Sequence, residues 1–151
     1  MNLVWPWVCV LGLTAILHGC RSGTPEPATV EVSSVGLRLI VTRTATHPFL
    51  ARYNVRLQVE GKEGCAVSAD LFPDTGGHSR RNLYQTAAGM IYVLGQFDAR
   101  VVDEAACTIR LVEFRFLESG ATFLGTFDED AQHRWTFMPA SVRAERPFEK
   151  L

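Results

Sequence analysis

Between residues 53 and 59 the chain alternates strictly between apolar and polar side chains. The apolar positions are Tyr53, Val55, Leu57 and Val59. Successive side chains of a β-strand point to opposite faces of a sheet, so this alternation predicts a strand with one buried face. The pattern returns in residues 65–71 after a glycine-containing turn, and together the two segments predict a β-hairpin over residues 53–71.

Short apolar stretches recur along the rest of the chain and predict further strands. They occupy residues 30–42 with a break at Gly36, 82–86, 90–97, 107–117, 121–127 and 135–138. Residues 98–106 are predicted as a short helix capped by Asp98 or as an irregular loop. About seven to nine strands and no clearly helical segment predict an all-β fold, either an antiparallel sandwich or a small barrel.

One five-residue pattern occurs twice. Leu-Gly-Gln-Phe-Asp at residues 94–98 returns as Leu-Gly-Thr-Phe-Asp at residues 124–128. Each copy ends an apolar strand, where we expect the glycine to allow close packing, the phenylalanine to enter the core and the aspartate to cap the next turn. The repeat predicts two equivalent strands that pair in one sheet.

The N-terminal part of the chain has a different pattern, an apolar run without alternation. It covers residues 3–17 and leads into Leu-His-Gly-Cys at residues 17–20, and the first charged residue is Arg21. The run is shorter than the ~20 apolar residues of a membrane-spanning helix, and a small residue closes it, as in secretory signals. Its last four residues resemble the lipobox of bacterial lipoproteins.

This resemblance implies that residues 1–19 form a signal peptide that is removed, and that Cys20 is acylated and begins the mature chain. An uncleaved N-terminal anchor and an ordinary signal peptide cut elsewhere are the alternatives. Two or three acyl chains anchor a protein stably in a membrane. In Gram-negative lipoproteins an aspartate after the acylated cysteine is associated with the inner membrane. Arg21 at this position therefore implies the outer membrane, facing the periplasm or the cell surface.

The mature chain divides by composition into a tether, a domain and a tail. Small, polar and proline residues predict that residues 20–28 are the lipidated cysteine and its tether, which reaches about 26 Å when extended. Residues 29–140 are the predicted β domain. Residues 141–151 are a charged tail in which Phe148 is expected to pack against the domain.

Composition narrows the classes of function. The 15 basic and 16 acidic side chains nearly balance, so we expect no nucleic acid partner. The chain has no glycine-rich phosphate loop after a strand, and we expect no cofactor. It also lacks the Gly-x-Ser-x-Gly motif that carries the nucleophile of serine hydrolases. The histidines after the leader, His47, His78 and His133, lie in separate predicted turns, which does not favour a metal site.

The positions of the four cysteines indicate different roles. Cys9 lies in the predicted leader and Cys20 is the expected lipid site, so Cys65 and Cys107 form the remaining pair. An even pair outside the cytosol predicts a disulfide, and the spacing is not that of a Cys-x-x-Cys redox motif.

Asp74-Thr75-Gly76 is the main candidate for catalytic chemistry. It resembles the Asp-Thr-Gly triplet of retroviral-type aspartic proteases, which implies a dimer in which two such loops hold paired carboxylates over one water. The alternative is an ordinary loop, since proline, aspartate and glycine are typical turn residues.

Two polar loops, residues 73–82 and 128–133, are the predicted binding regions, because long loops on a rigid sheet commonly carry function. The second begins with Asp128-Glu129-Asp130, which is either a calcium site of carboxylate oxygens or a solvated hairpin turn. The candidate binding residues in the two loops are Asp74, His78, Arg80, Arg81, Asp128 and Asp130.

Four arginines are expected on one polar surface of the predicted sheet. Arg52 and Arg56 belong to one strand, and Arg38 and Arg43 to its neighbour. Beside a membrane such a stripe can contact lipid phosphates or acidic groups of a glycan. The alternative is a solvated face with cross-strand partners such as Glu31.

These features together predict a non-catalytic, membrane-tethered lipoprotein that acts as a binding or assembly module in the bacterial cell envelope. Its expected partners are the membrane, through the lipid anchor, and an envelope protein or polymer. The alternative is a hydrolase that resembles aspartic proteases and uses Asp74.

Overall fold

A computed structural model describes residues 23–113 and 120–148 of the 151-residue chain. Within these residues, ten strands form two antiparallel sheets of four and six strands, which pack as a sandwich. The all-β prediction is confirmed, with more strands than the roughly seven to nine that patterning indicates. The predicted leader with Cys20, the last part of the predicted strand at 107–117, and the end of the tail lie outside the described residues.

Neighbours in sequence pair in most of the two sheets. The four-stranded sheet has the order β1-β2-β3-β4, with β1 Glu26–Val32, β2 Leu37–Ala45, β3 Tyr53–Glu60 and β4 Ala66–Asp70. The six-stranded sheet has the order β10-β9-β5-β6-β7-β8, with β5 Arg81–Gln85, β6 Ile91–Leu94, β7 Ala99–Asp103, β8 Thr108–Val112, β9 Thr122–Glu129 and β10 Trp135–Pro139. The predicted hairpin over residues 53–71 is confirmed as β3 and β4. Among the described residues, no helix is long and apolar enough to cross a membrane.

The hydrophobic core lies between the sheets. In β3 every second side chain is buried, as its alternation predicts. Fully buried side chains come from both sheets and include Leu39, Leu57, Leu83 and Phe127. Trp135 crosses the core, where its Nε1 donates a hydrogen bond of 2.9 Å to the carbonyl of Val41. Each large side chain buried in this way contributes roughly 1.5–3 kcal/mol, so core packing holds the sheets together.

Cys65 and Cys107 form the predicted disulfide, and this bond joins the two sheets. Cys65 follows β3 and Cys107 follows β7, and their Cα atoms lie 5.7 Å apart. The bond therefore connects a turn of one sheet to a turn of the other at one end of the sandwich.

Two element boundaries differ from the prediction. Ala99–Asp103 forms β7, where the sequence predicts a short helix or an irregular loop. Both faces of this strand are covered, and a strand buried on both faces shows no alternation. β1 begins at Glu26, inside the predicted tether, because its backbone pairs with β2 as far as Arg43. Such pairing uses main-chain groups and does not require apolar side chains.

The repeated five-residue pattern is only partly equivalent in structure. The strands that begin the two copies, β6 and β9, share the six-stranded sheet, but they pair with opposite sides of β5 and not with each other. Phe127 lies within β9 and is fully buried, whereas Phe97 follows β6 in a connection and is 44% exposed. Gly125 is required by packing, because a Cβ atom there would overlap the carbonyl oxygen of Met138.

Four connections lie together at the end of the sandwich opposite the disulfide. They are residues 46–52, 71–80, 95–98 and 130–134, and we call this region the loop end. Backbone hydrogen bonds between Tyr53 and Asp74 join the second connection to the start of β3, directly after the first connection. Arg43 links β1 to β9 at this end through Glu26 and Glu129.

The C-terminal tail packs on the outer face of the six-stranded sheet. Phe148 lies against a cluster that includes Tyr84, and its ring centroid is 4.1 Å from the Arg80 guanidinium. Glu145 accepts a hydrogen bond of 2.8 Å from the Tyr84 hydroxyl. The predicted contact of Phe148 with the domain is confirmed.

Candidate functional site

The two predicted binding loops meet at the loop end. Residues from both line a cleft of about 190 Å³. Its polar lining comes from Arg43, Tyr53, Asp74, Ser79, Arg80, Asp128 and Glu129. Ligand pockets usually measure about 300–1,000 Å³, so this cleft has room for a single side chain or another small polar group.

Arg43 is the central charge of the cleft. It is 4% exposed, and its guanidinium lies 4.6 Å and 5.0 Å from the ring centroids of Tyr53 and Trp135. It donates hydrogen bonds to Glu129 at 2.6 Å and to Glu26 at 2.7 Å. Burial lowers the pKa of Arg43, but the hydrogen bonds to the two carboxylates outweigh burial and raise it. The positive charge is therefore compensated within the protein.

The buried position of Arg43 shows that the predicted arginine stripe is wrong. Arg43 points into the sandwich, whereas Arg38 and Arg56 face outward and form exposed ion pairs. Arg38 and Arg43 belong to the same strand and are an odd number of residues apart, which places them on opposite faces. Arg52 lies in a connection of the loop end. The four side chains therefore do not form one surface.

Asp74 is buried and holds its own connection together. Its Oδ1 accepts the backbone N–H groups of Gly76 and His78, both at 2.8 Å, and its Oδ2 accepts the Ser79 hydroxyl at 2.5 Å. Burial raises the pKa of Asp74, but hydrogen bonds from His78, Ser79 and the glycines outweigh burial and lower it. A general acid needs a raised pKa and access to its substrate, so this geometry favours a structural turn.

We expect Asp74→Asn to lower the free energy of unfolding at pH 7 by about 1–3 kcal/mol, because hydrogen bonds to a charged acceptor are replaced by weaker ones. The pKa of Asp74 is lower in the folded than in the unfolded protein, so its carboxylate stabilises the fold at a pH above the unfolded pKa, near 3.8. This stabilisation is lost as the pH falls through the folded pKa. Urea unfolding at several pH values from about 5 to 2 should show that the free energy of unfolding falls less in the variant than in wild type. An equal decrease in the free energy of unfolding over this pH range in wild type and variant would contradict this expectation.

Arg81, at the start of β5, and Asp98, directly before β7, bind residues 71–80 to the six-stranded sheet. Both are buried, and Arg81 Nη2 lies 3.7 Å from Asp98 Oδ1. Arg81 donates a hydrogen bond of 2.7 Å to the carbonyl of Phe72, whose N–H donates one of 3.0 Å to Asp98. Burial lowers the pKa of Arg81, and the Asp98 charge partly offsets this effect. Arg81, a predicted binding residue, therefore stabilises the conformation of residues 71–80 and is too buried to contact a partner.

Of the other predicted binding residues, Arg80 and Asp128 line the cleft, His78 lies outside it, and Asp130 belongs to the turn after β9. His78 is exposed and packs edge-on against Phe97, with 5.8 Å between ring centroids. Asp128 pairs with Arg143 at 3.1 Å, and Asp130 accepts two backbone N–H groups of its own turn. These contacts favour the hairpin turn over the calcium site. In the described part of the chain, no group of three or more His, Cys, Asp or Glu side chains is arranged to hold a metal ion.

A larger groove of about 620 Å³ lies on the outer face of the four-stranded sheet. Its hydrogen-bonding lining comes from Thr42 and Thr44 of β2, Asn54, Arg56 and Gln58 of β3, and Asp70 of β4. Thr42, Arg56 and Asp70 are direct neighbours across the three strands. The groove therefore offers both donors and acceptors on strands that backbone pairing holds in place.

The sequence indicates only part of this groove. Asn54, Arg56 and Gln58 are the polar positions of the strand predicted by alternation. The threonines of β2 and Asp70 were not predicted as site residues, because their position beside β3 depends on the pairing register. Outward-facing polar positions on the neighbouring predicted strands are the signal from which they can be found.

Comparison of the chain with protein-family models, with curated proteins and with solved structures finds no match.

Proposed function

We propose that this chain is a non-catalytic lipoprotein of the bacterial cell envelope that binds an envelope protein or polymer through the groove on its four-stranded sheet. The observation that carries the proposal is the groove itself, with six hydrogen-bonding side chains on three paired strands. An extended polar partner lying along these strands can use several donors and acceptors at once. Rigid strands also hold these groups in place before binding, which reduces the entropy lost on association.

The proposed anchor is Cys20. The lipobox resemblance of residues 17–20 supports acylation of this cysteine after removal of residues 1–19. Acylation confines the domain to a membrane surface, and Arg21 directly after Cys20 favours the outer membrane. Confinement raises the effective concentration of the domain toward partners in the same envelope.

The state of the charged residues at the loop end supports a binding role over catalysis. The Asp74 carboxylate accepts three hydrogen bonds from its own connection. Arg43 is compensated by two carboxylates, and Arg81 lies beside Asp98. These groups stabilise the fold, and the hydrolase alternative that uses Asp74 has less support than the binding module.

We expect a photo-cross-linking amino acid at Asn54 to give one dominant adduct in the intact envelope, and the same group at Ala105, in the turn before β8, to give none. Arg56→Glu should abolish the Asn54 adduct. Arg38→Glu is the matched control, because it reverses a charge on the same face outside the groove. Both arginines belong to exposed ion pairs, which contribute about 0–1 kcal/mol, so both variants should remain folded.

Equal adducts at Asn54 and Ala105, or an adduct that survives Arg56→Glu, would contradict the proposed binding face. Palmitate labelling that persists in Cys20→Ala would contradict the anchor. Cleavage of unfolded substrates at acidic pH that disappears in Asp74→Asn would favour the hydrolase.

A further inference from the structure

The loop end exposes several large apolar side chains. Phe49 is 91% exposed and Leu50 is 48% exposed in the connection between β2 and β3. Phe72 and Phe97, in two other connections of the loop end, are 43% and 44% exposed. Single exposed apolar residues are common, but several at one end of a small domain mark a surface that contacts another molecule or a membrane.

The start of the described chain limits how far the loop end can lie from Cys20. The Gly23 N–H donates a hydrogen bond of 2.9 Å to the carbonyl of Ala45. Ala45 is the last residue of β2 and directly precedes the connection that carries Phe49. Three peptide units separate residues 20 and 23, and they span at most about 11 Å. This limit replaces the reach of about 26 Å that the composition of residues 21–28 suggests.

We infer that the loop end docks on the bilayer that holds Cys20, with Phe49 and Leu50 entering the lipid interface. The inference rests on the proposed acylation of Cys20 and adds an orientation and a second membrane contact. Arg52 is exposed on the same connection and supplies a positive charge that lipid phosphates attract.

The short covalent link makes lipid the occupant of this surface. Apolar side chains at a membrane interface reach about 5–10 Å into the boundary between headgroups and acyl chains. A limit of about 11 Å between Cys20 and Gly23 keeps Gly23, and with it the start of the loop end beside Ala45, close to that depth. A domain of 100 residues has a radius of gyration of about 13 Å, so a folded partner does not fit between this surface and the membrane.

The test uses the acylated protein in vesicles of phosphatidylethanolamine and phosphatidylglycerol with brominated acyl chains. Phe49→Trp reports on the loop end, and Ala105→Trp reports on the opposite end. Trp135 is the one tryptophan after the leader, is buried, and is common to both variants. We expect bromolipids to quench the added tryptophan at position 49, and we expect the one at position 105 to show no loss of emission.

The two contrary outcomes distinguish a failure of the docking from a failure of the anchor. Equal quenching at positions 49 and 105, in protein that floats with the vesicles, would overturn the docking and leave the anchor intact. If wild-type protein isolated from cells carries no palmitate and stays out of the vesicle fraction, both the anchor and the docking are overturned.

A photo-cross-linking group at Phe49 in cells provides the second measurement, and we expect adducts with lipid. A stoichiometric protein adduct at this position would overturn the lipid assignment. Because the Phe49 side chain is 91% exposed, its replacement should leave the fold unchanged.

Discussion

Replacement of both Cys65 and Cys107 by alanine is expected to lower the free energy of unfolding by about 4 kcal/mol. The disulfide spans a sequence separation of 42. The entropy that a cross-link removes from the unfolded chain grows with the logarithm of this length. The closed loop contains β4 to β7, so both sheets contribute to it. Small domains have a total stability of about 5–15 kcal/mol, and the loss is a large part of it.

Urea unfolding of the purified domain, followed by Trp135 fluorescence, measures this effect. Both proteins should span residues 20–151 and carry Cys20→Ala, because Cys65 and Cys107 are the other cysteines in this range. Reduced wild type is the control. If the covalent link, and not side-chain packing, supplies the stability, reduced wild type should unfold at the same urea concentration as the double variant. A double variant as stable as oxidised wild type would show that the prediction is wrong.

Alternation predicts strands whose two faces differ and misses strands whose faces are alike. β3 is buried on one face and exposed on the other, and its residues alternate accordingly. β7 has buried side chains on both faces, so its sequence lacks the alternation and suggests a helix or loop. The fold class and the disulfide follow from local signals. Which strands become neighbours depends on contacts between distant segments, and the pairing of β5 with both β6 and β9 was not predicted.

The candidate loops were predictable, but the roles of their charges were less so. Asp74 and Arg81 lie in a polar segment typical of an exposed loop, and their burial depends on contacts made after folding. Arg43 is different, because it shares the parity of Leu39 and Val41, which are buried in the same strand. The alternation of β2 therefore contains the signal that Arg43 points inward.

Asp98→Ala is expected to lower the free energy of unfolding by about 3–5 kcal/mol, because it removes the buried carboxylate that pairs with both Arg81 and Arg100. The exposed fractions of the two side chains are 3% for Arg81 and 1% for Asp98. The change also removes the acceptor for the Phe72 N–H. Asp70→Ala is the matched control, since Asp70 pairs with Arg56 at 3.8 Å in solvent and should contribute less than about 1 kcal/mol.

Two further variants separate charge pairing from hydrogen bonding. Asp98→Asn keeps an acceptor for the Phe72 N–H and removes the charge, so it should lose most of the same stability if the charge dominates. Arg81→Met combined with Asp98→Leu removes both buried charges. Because a buried ion pair is expensive to desolvate, this double variant should be more stable than the sum of the two single changes predicts.

The same pair determines the order of the loop end. Arg81 donates hydrogen bonds to carbonyls within residues 71–80, and the Asp98 side chain, in the connection that carries Phe97, accepts the N–H of Phe72. In Asp98→Ala, amide hydrogen exchange should therefore accelerate in residues 71–80 and 95–98 before it does in β2 and β3. If the single changes instead prove additive, the pair is uncoupled. The shape of residues 71–80 would then depend on the Asp74 hydrogen bonds and on the backbone bridge to Tyr53.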